Sequence, residues 1–372
     1  MKLIFISNFF NHHQKPISDE LYARLGDGYR FVETKPMTES RKKLGWDRIS
    51  LPAYVVSHEV FNESTEEFIQ DINMADVVIW GAAAYDLIKD RIKAGNPVVR
   101  YAERPLKKGI EPLKYFPRLI KWHLQFPKNK PVYMLCASAY TAPDFAMFGM
   151  FKKKSYKWGY FPECKKYDDV AALVAAKKKN SLLWCGRLID WKHPELAIEV
   201  AKRLKAENYD FTLDIIGNGD LEQKLADMIV DNRLEDCVFM RGSMSPDQVR
   251  EYMEQSEIFM FTSDRQEGWG AVLNESMNSA CAVVANKAIG SAPFLIKDGE
   301  NGMLYSDGDV DRLYSSVKFL MDNESERTAI GLAAYNTICN EWSPAIAADR
   351  LVELVNNDFK ATYSEGPCSM AR

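Results

Sequence analysis

At 372 residues, 47% hydrophobic and 27% charged, the chain has the composition of a folded protein of roughly two domains, which excludes disordered and low-complexity classes. Its seven cysteines are scattered and show no C-x-x-C spacing, which argues against a zinc site and for reduced thiols in a cytoplasmic protein. The net charge of −4 hides an asymmetry, 26 Lys+Arg against 18 Asp+Glu over residues 1–165 and 22 against 34 beyond, which favours a boundary near the middle.

The chain opens on an apolar run at 3–7, a strand too short to be a signal peptide, and no apolar run approaches the ~20 residues that span a bilayer. Further strands are expected at 29–33, 54–57, 76–80, 97–101 and 132–136, with helices at 19–25, 65–72, 85–93 and 115–125. This βα alternation predicts a mostly parallel, doubly wound sheet. Its ligand edge includes the loop after the first strand, with Asn11, His12 and His13. The His-His pair does not make a metal site, because adjacent residues of an extended loop point apart and no other ligand cluster stands nearby.

Between Arg100 and Lys130 nine Lys+Arg face two Asp+Glu, interleaved with Tyr101, Tyr115, Phe116, Trp122 and Phe126. No nucleic-acid module accompanies them, so nucleic acid is not the expected partner. Two readings stand: a surface for anionic lipid headgroups, and a solvated helix with its aromatics in the core. Around 152–162 the periodicity lapses and Asp168-Asp169 caps a new helix, which sets a hinge at about 160–175.

In the second half, strands are expected at 182–185, 211–216, 238–240, 258–261 and 282–285. Helices follow at 195–205, 221–232, 248–254, 271–280, 310–321 and 326–341, and a last one at 344–357 crosses back over the first domain. Ser245-Pro246-Asp247 is an N-cap with Pro at the first helical position. Gly217-Asn218-Gly219 lacks the third glycine of a dinucleotide fingerprint, and Asp307-Gly308-Asp309 reads as a turn and N-cap instead of a metal motif.

The stretch from Ser263 to Ser276 joins a buried strand to a helix through Glu267-Gly268-Trp269-Gly270. Gly268 and Gly270 permit close backbone approach, and the unpaired N–H groups of the helix start attract phosphate. Glu267 and Glu275 flank the spot; they either address two parts of one elongated ligand or merely complement the helix dipole and solvent. Gly186-Arg187-Leu188-Ile189-Asp190-Trp191-Lys192 leaves another buried strand with two cations, Arg187 and Lys192, on the same ligand edge. Such a pair can take the charge developing on a departing diphosphate, with structural salt bridges as the alternative.

Together, Gly186-Arg187 with Lys192, the Gly217-Asn218-Gly219 loop, Gly242 after a strand, and the pair Glu267/Glu275 in Glu-Gly-Trp-Gly context resemble the retaining glycosyltransferases of family 4. The resemblance implies an α/β protein of the GT-B fold, with two Rossmann-like doubly wound domains facing a central cleft. Residues 1–165 would form the acceptor-side domain, 166–342 the nucleotide-sugar domain, and 343–372 a returning helix and tail.

It further implies that Arg187 and Lys192 bind the donor diphosphate, Glu267 the transferred sugar and Glu275 the ribose hydroxyls. Main chain near Arg241 would meet the base, with Gly186, Gly217, Asn218, Gly268, Trp269 and Gly270 completing the donor site. Asn11, His12, Glu103 and Arg104 fall on the acceptor side. There the family's glycine pair is replaced by Asn8–Gln14, its His-Asp by Ala102-Glu103-Arg104, and its Gly-Gly-x-x-Glu segment appears as Ile289–Phe294 without the acid.

The implied activity is metal-independent, cofactor-free transfer, with retention, from a UDP-, GDP- or ADP-sugar to a glycan or lipid-linked acceptor. Bacterial surface polysaccharide synthesis, at the inner face of the cell membrane, is the expected setting. Alternatives are a nucleotide-sugar 2-epimerase of the same architecture, a nicotinamide oxidoreductase, and a non-catalytic nucleotide-sugar-binding protein.

Overall fold

The structure, a computed structural model, describes residues 1–39 and 50–371. The chain divides into two compact units, Met1–Glu163 together with Ser343–Arg372, and Cys164–Trp342.

In the first unit, β1 (Leu3–Ser7), β2 (Tyr29–Glu33), β3 (Val55–Val56), β4 (Val77–Trp80), β5 (Val98–Ala102), β6 (Val132–Cys136) and β7 (Ser155–Lys157) form a parallel sheet. Its order is β3-β2-β1-β4-β5-β6-β7. The intervening helices are α1 (Lys15–Leu25), α2 (His58–Glu63), α3 (Thr65–Met74), α4 (Lys89–Ala94), α5 (Pro112–Gln125) and α6 (Thr141–Ala146). The central strands are apolar on both faces, as a sheet covered on both sides requires.

Several local expectations change. Helix α1 starts at Lys15, because Pro16 is tolerated in a first turn that needs no N–H partner. The helix expected at 85–93 splits into a 3-10 turn, Tyr85–Leu87, and α4, with the break at the fully buried Ile88. The stretch where periodicity lapses contains β7, which pairs with β6 through Met134 and Ser155. Its outer edge is closed by the C-terminal tail, whose Ser369 carbonyl accepts from the Lys157 N–H at 2.8 Å and whose Ala371 N–H donates to Ser155 at 2.9 Å. The edge strand is thereby paired and not left as a template for aggregation. The C-terminal helix Pro344–Asn356 packs on α1, where Arg24 bonds Asp349 at 2.6 Å and the Ala345 carbonyl at 3.0 Å.

In the second unit, β8 (Lys178–Cys185), β9 (Thr212–Ile216), β10 (Val238–Gly242), β11 (Ser256–Phe261), β12 (Ala282–Asn286) and β13 (Met303–Tyr305) form a parallel sheet in the order β10-β9-β8-β11-β12-β13. It is flanked by α7 (Val170–Ala175), α8 (Glu195–Ala206), α9 (Glu222–Asp231), α10 (Pro246–Gln255), α11 (Ala271–Asn278), α12 (Ala292–Leu295), α13 (Val310–Asp322) and α14 (Glu324–Asn340). Leu182, Trp184, Ile198, Leu213, Ile258 and Val284 anchor its core. α10 opens on a capping box between Ser245 and Gln248. At Asp307-Gly308-Asp309 the Asp309 carboxylate caps α13 by accepting from the Arg312 N–H at 2.9 Å. Strand progression reverses between β8 and β11, and ligands of doubly wound sheets bind at the carboxyl ends of such strands.

Candidate active site

The loops after β8 and β11 emerge side by side, because Leu182 and Leu183 of β8 pair with Ile258 and Phe259 of β11. The first loop runs through Gly186, Arg187 and Leu188 into a 3-10 turn, Asp190–Lys192, and passes His193 in the left-handed region. Beside it lies the Gly217-Asn218-Gly219 loop, with the Leu188 N–H donating to the Asn218 carbonyl at 2.8 Å and the Gly217 N–H to the Gly242 carbonyl at 2.8 Å. Gly217 (φ 141°) comes so close to the first loop that a Cβ there would sit 1.8 Å from the Gly186 carbonyl oxygen. These glycines therefore serve loop-on-loop packing.

The two switch-point loops are tied together at several points. The Thr262 hydroxyl lies 2.8 Å from the carbonyls of both Lys192 and His193 and accepts from Trp184 Nε1 at 2.8 Å. The Asp264 N–H donates to the Trp191 carbonyl at 2.9 Å. His193 bonds Glu195 through Nδ1 at 2.8 Å, and that contact holds its imidazole above the ordinary histidine range.

This scaffold brings three of the expected catalytic residues together. Lys192 Nζ meets Glu267 Oε2 in an ion pair whose side chains are 12% and 11% exposed, and Ser263 Oγ donates to the same oxygen at 3.1 Å. Glu267 Oε1 receives no protein donor among the described residues. The guanidinium of Arg187 lies 5.6 Å and Lys192 Nζ 4.9 Å from the centroid of the Trp191 ring, so both cations border one indole. Arg187 is exposed and has no carboxylate partner among the described residues. The two cations and the acid thus share one region, with one positive charge neutralised internally and the other open to an anion.

Gly270 (φ 86°) turns the second loop into α11, whose N-terminus has no side-chain cap. A Cβ at this position would lie 2.5 Å from the Phe261 ring, so glycine is needed for space as well as for the backbone angle. Gly268 is buried in the same turn. Glu275, one turn into α11, is partly buried; burial raises its carboxyl pKa, and the positive charge of Arg250 opposes that shift. Arg250 itself donates to the Glu275 carbonyl at 3.1 Å. Arg241 falls at a register shift in β10 and bonds Asp214 at 2.6 Å.

Trp269 differs from the donor-contact expectation. Its indole is fully buried, donates to Asn274 Oδ1 at 2.9 Å, and packs near Phe294 and Trp342. A large apolar side chain in a buried turn gains more from the core than from a wet cleft, so it anchors the loop from inside.

In the first unit, His12 and Glu103 belong to one string of contacts. The His12 and His13 rings lie 3.9 Å apart, His13 stacks on Tyr160 at 5.7 Å, and the Tyr160 hydroxyl donates to Glu103 at 2.5 Å. Glu103 also pairs with Lys107. Arg104 and Asn11 are differently placed. Arg104 is 7% exposed, forms a two-point contact with Asp144 at 3.2 and 3.3 Å and lies over the Tyr140 ring, which commits its fork to holding the loop. Asn11 is buried and shapes the turn into α1, its side chain accepting from the His13 N–H at 2.9 Å. Among the described residues no group of three or more His, Cys, Asp or Glu is placed to hold a metal ion, and no helix is long and apolar enough to cross a membrane.

Residues 166–337, which contain both switch-point loops, match the family profile described as "Glycosyl transferases group 1". This segment is similar to the group 1 glycosyl transferases. The chain is 31% identical over 179 residues to the amylovoran biosynthesis glycosyltransferase AmsK of Erwinia amylovora, covering 47% of this chain and 44% of that protein. It is 32% identical over 154 residues to an N-acetylgalactosamine-N,N'-diacetylbacillosaminyl-diphospho-undecaprenol 4-alpha-N-acetylgalactosaminyltransferase of Campylobacter jejuni, covering 41% and 40%. These alignments span less than half the length of the curated relatives. Among solved structures, Anabaena HepE in complex with UDP superposes with a TM-score of 0.70 at 16% identity, covering 96% of this chain and 100% of that one. That likeness extends over both units and identifies the fold as GT-B.

Within the matched segment, three residues at the site carry no motif that singles them out. Trp191 offers the surface that both cations border, Ser263 supports Glu267, and Thr262 locks the loops. Ser263 sits four residues before Glu267, and Thr262 is the first residue after β11; those positions are the only traces they leave in the sequence.

Proposed function

We propose that the protein is a retaining, metal-independent hexosyltransferase that moves a sugar from a nucleoside-diphosphate sugar to a hydroxyl of a glycan or lipid-linked acceptor. The observation that carries this reading is the ion pair Lys192–Glu267 at the switch point, with the exposed Arg187 beside it. An incoming diphosphate can draw Lys192 from Glu267, join it to Arg187 and approach the uncapped start of α11, so that positive charge faces the group that leaves. Freed in part, Glu267 would accept a hydrogen bond from a sugar hydroxyl through Oε1. The bond between the anomeric carbon and the phosphate oxygen loosens to an oxocarbenium-like state, the acceptor oxygen attacks the same face, and its proton passes to the departing phosphate oxygen. In this reading no carboxylate nucleophile is needed, unlike in two-carboxylate hydrolases. The partly buried Glu275 is assigned to the ribose hydroxyls, and His12 and Glu103 to the acceptor.

UDP-, GDP- and ADP-sugars are to be compared by thermal shift, followed by product analysis with and without a dispersed lipid-diphosphate glycan. One donor is expected to raise Tm by roughly 5–10 °C at a hundredfold excess over Kd. Nucleoside diphosphate should then be released only with acceptor, and the new glycosidic bond should keep the donor's anomeric configuration. An epimer formed without acceptor would replace the reading by an epimerase. Binding without any product would leave a sensor.

The acceptor is assigned to a lipid surface because α5 has two unlike faces. Tyr115 and Trp122 pack on Phe148, while Leu113, Phe116, Ile120 and Leu124 stand 94%, 68%, 63% and 69% exposed at helical spacing. Exposed Lys114 and Lys121 follow Leu113 and Ile120 directly along that helix. Apolar side chains flanked by ammonium groups suit the headgroup boundary of an anionic leaflet. The protein should float with phosphatidylglycerol vesicles at low salt, and Phe116→Glu with Ile120→Glu should reduce the bound fraction ~10-fold or more. Absence of flotation at low salt would remove the lipid-surface assignment and leave the donor chemistry untouched.

A further inference from the structure

Two cysteines far apart in sequence meet at the ends of the second unit. Cys164 is its first residue and Cys339 lies in the last turn of α14, three residues before its final residue, Trp342. Their sulfurs are 3.1 Å apart, although 175 positions separate them in sequence. The Asn278 side chain donates to both sulfurs, at 3.5 Å to Cys164 and 3.4 Å to Cys339. Asn278 is itself oriented by Arg250 at 3.0 Å and by the Lys165 N–H and carbonyl at 2.9 and 3.0 Å. Both thiols are only partly buried, whereas Cys136, Cys237, Cys281 and Cys368 are buried.

The electrostatics make the two sulfurs unequal. The hydrogen bond from the Cys164 thiol, helped by Tyr335, Asn278 and the charge of Lys166, lowers the Cys339 pKa to about 7. The same contact raises that of Cys164. Cys339 is the one cysteine of the seven shifted downward; burial pushes Cys136 and Cys185 up to about 12 and Cys237 up to about 11. A thiolate supported by three donors beside a protonated thiol is the arrangement of an attacking sulfur next to a resolving one.

We propose that Cys164 and Cys339 form a hydroperoxide-sensitive dithiol that closes to a disulfide and covalently joins the two ends of the second unit. The Cys339 thiolate attacks the terminal peroxide oxygen, the O–O bond breaks, and the alkoxide leaves as an alcohol after taking a proton. Cys339 is then a sulfenic acid. The Cys164 sulfur attacks it as its thiol proton is lost, the S–O bond breaks, and the oxygen departs as water. Two thiols have been oxidised by two electrons and one peroxide reduced. The sulfurs need to approach by only ~1 Å to reach bonding distance. Since the chain passes between the units next to both residues, the bond would tie those two passages to each other.

The test needs no sugar or acceptor, so its outcome is independent of the transferase reading. The full chain is treated with a modest excess of hydrogen peroxide and mapped by non-reducing peptide mass spectrometry. A Cys164–Cys339 peptide lighter by two hydrogen atoms is expected, with Tm raised by roughly 5–15 °C from closing so long a loop and restored by dithiothreitol. Cys164→Ser should accumulate a dimedone-reactive sulfenic acid at Cys339, and Cys339→Ser should lose the peroxide response. The proposal is overturned if both residues stay free thiols while the protein remains folded, if another cysteine supplies the partner, or if Cys164→Ser traps nothing at Cys339.

Discussion

Replacing Lys192 by methionine is expected to lower kcat by roughly 10²- to 10³-fold, as does loss of one preorganised charge at a developing anion, and Arg187→Ala should cost about 10²-fold or more. The two variants should differ in what else they do. Lys192 is paired with Glu267, and both side chains are mostly buried, so Lys192→Met leaves a carboxylate uncompensated and should destabilise the second unit by ~3–5 kcal/mol. Adding Glu267→Gln should return most of that stability and none of the turnover. Arg187 is exposed and borders the Trp191 ring, with no carboxylate partner among the described residues, so Arg187→Ala should leave Tm nearly unchanged. Steady-state kinetics with chemical denaturation of all four proteins separates the effects. Near-normal kcat for both single variants would end the proposed mechanism.

Gly217→Ala is expected to damage both stability and donor binding. A methyl group at this position would sit 1.8 Å from a backbone oxygen of Gly186, and φ is 141°, a region that L residues rarely adopt. Neither clash can be relieved by a rotamer change, so the Gly186-Arg187-Leu188 loop must move, at a cost of roughly 3 kcal/mol or more. Tm should fall by roughly 6–12 °C, and donor affinity should fall with it because Arg187 rides on the displaced loop. Gly242→Ala is the control: φ there is also positive, at 71°, but open space surrounds its Cβ position. It should cost only about 1 kcal/mol of backbone strain. Equal melting points for the two variants would show that the loop packing is not needed.

Much of the architecture could be read from local patterns because burial on a sheet face leaves a local signature. Apolar runs such as Leu3–Ser7 and Ser256–Phe261 followed by amphipathic stretches specify strands and helices residue by residue. β7 and β13 escape that signature, since three residues each are too few for a period to emerge, whereas the two-residue edge strand β3 lies inside the longer apolar stretch expected at 54–57. Residue chemistry was equally legible, since a guanidinium and an ammonium on one strand-end loop and two carboxylates on another are plain in the sequence.

What the sequence alone determined, then, is the βα alternation, the two-domain scale and the chemical inventory of each loop, all of which depend on neighbours within a few positions. Only the tertiary structure decided that β8 lies beside β11, which carries Lys192 to Glu267 across 75 positions, and that Cys164 lies against Cys339 across 175. It also turned Trp269 and Arg104 inward, toward packing and toward Asp144. Strand order and side-chain direction are set by which long-range contacts bury the most apolar surface while pairing every buried charge, and no window of consecutive residues contains that information.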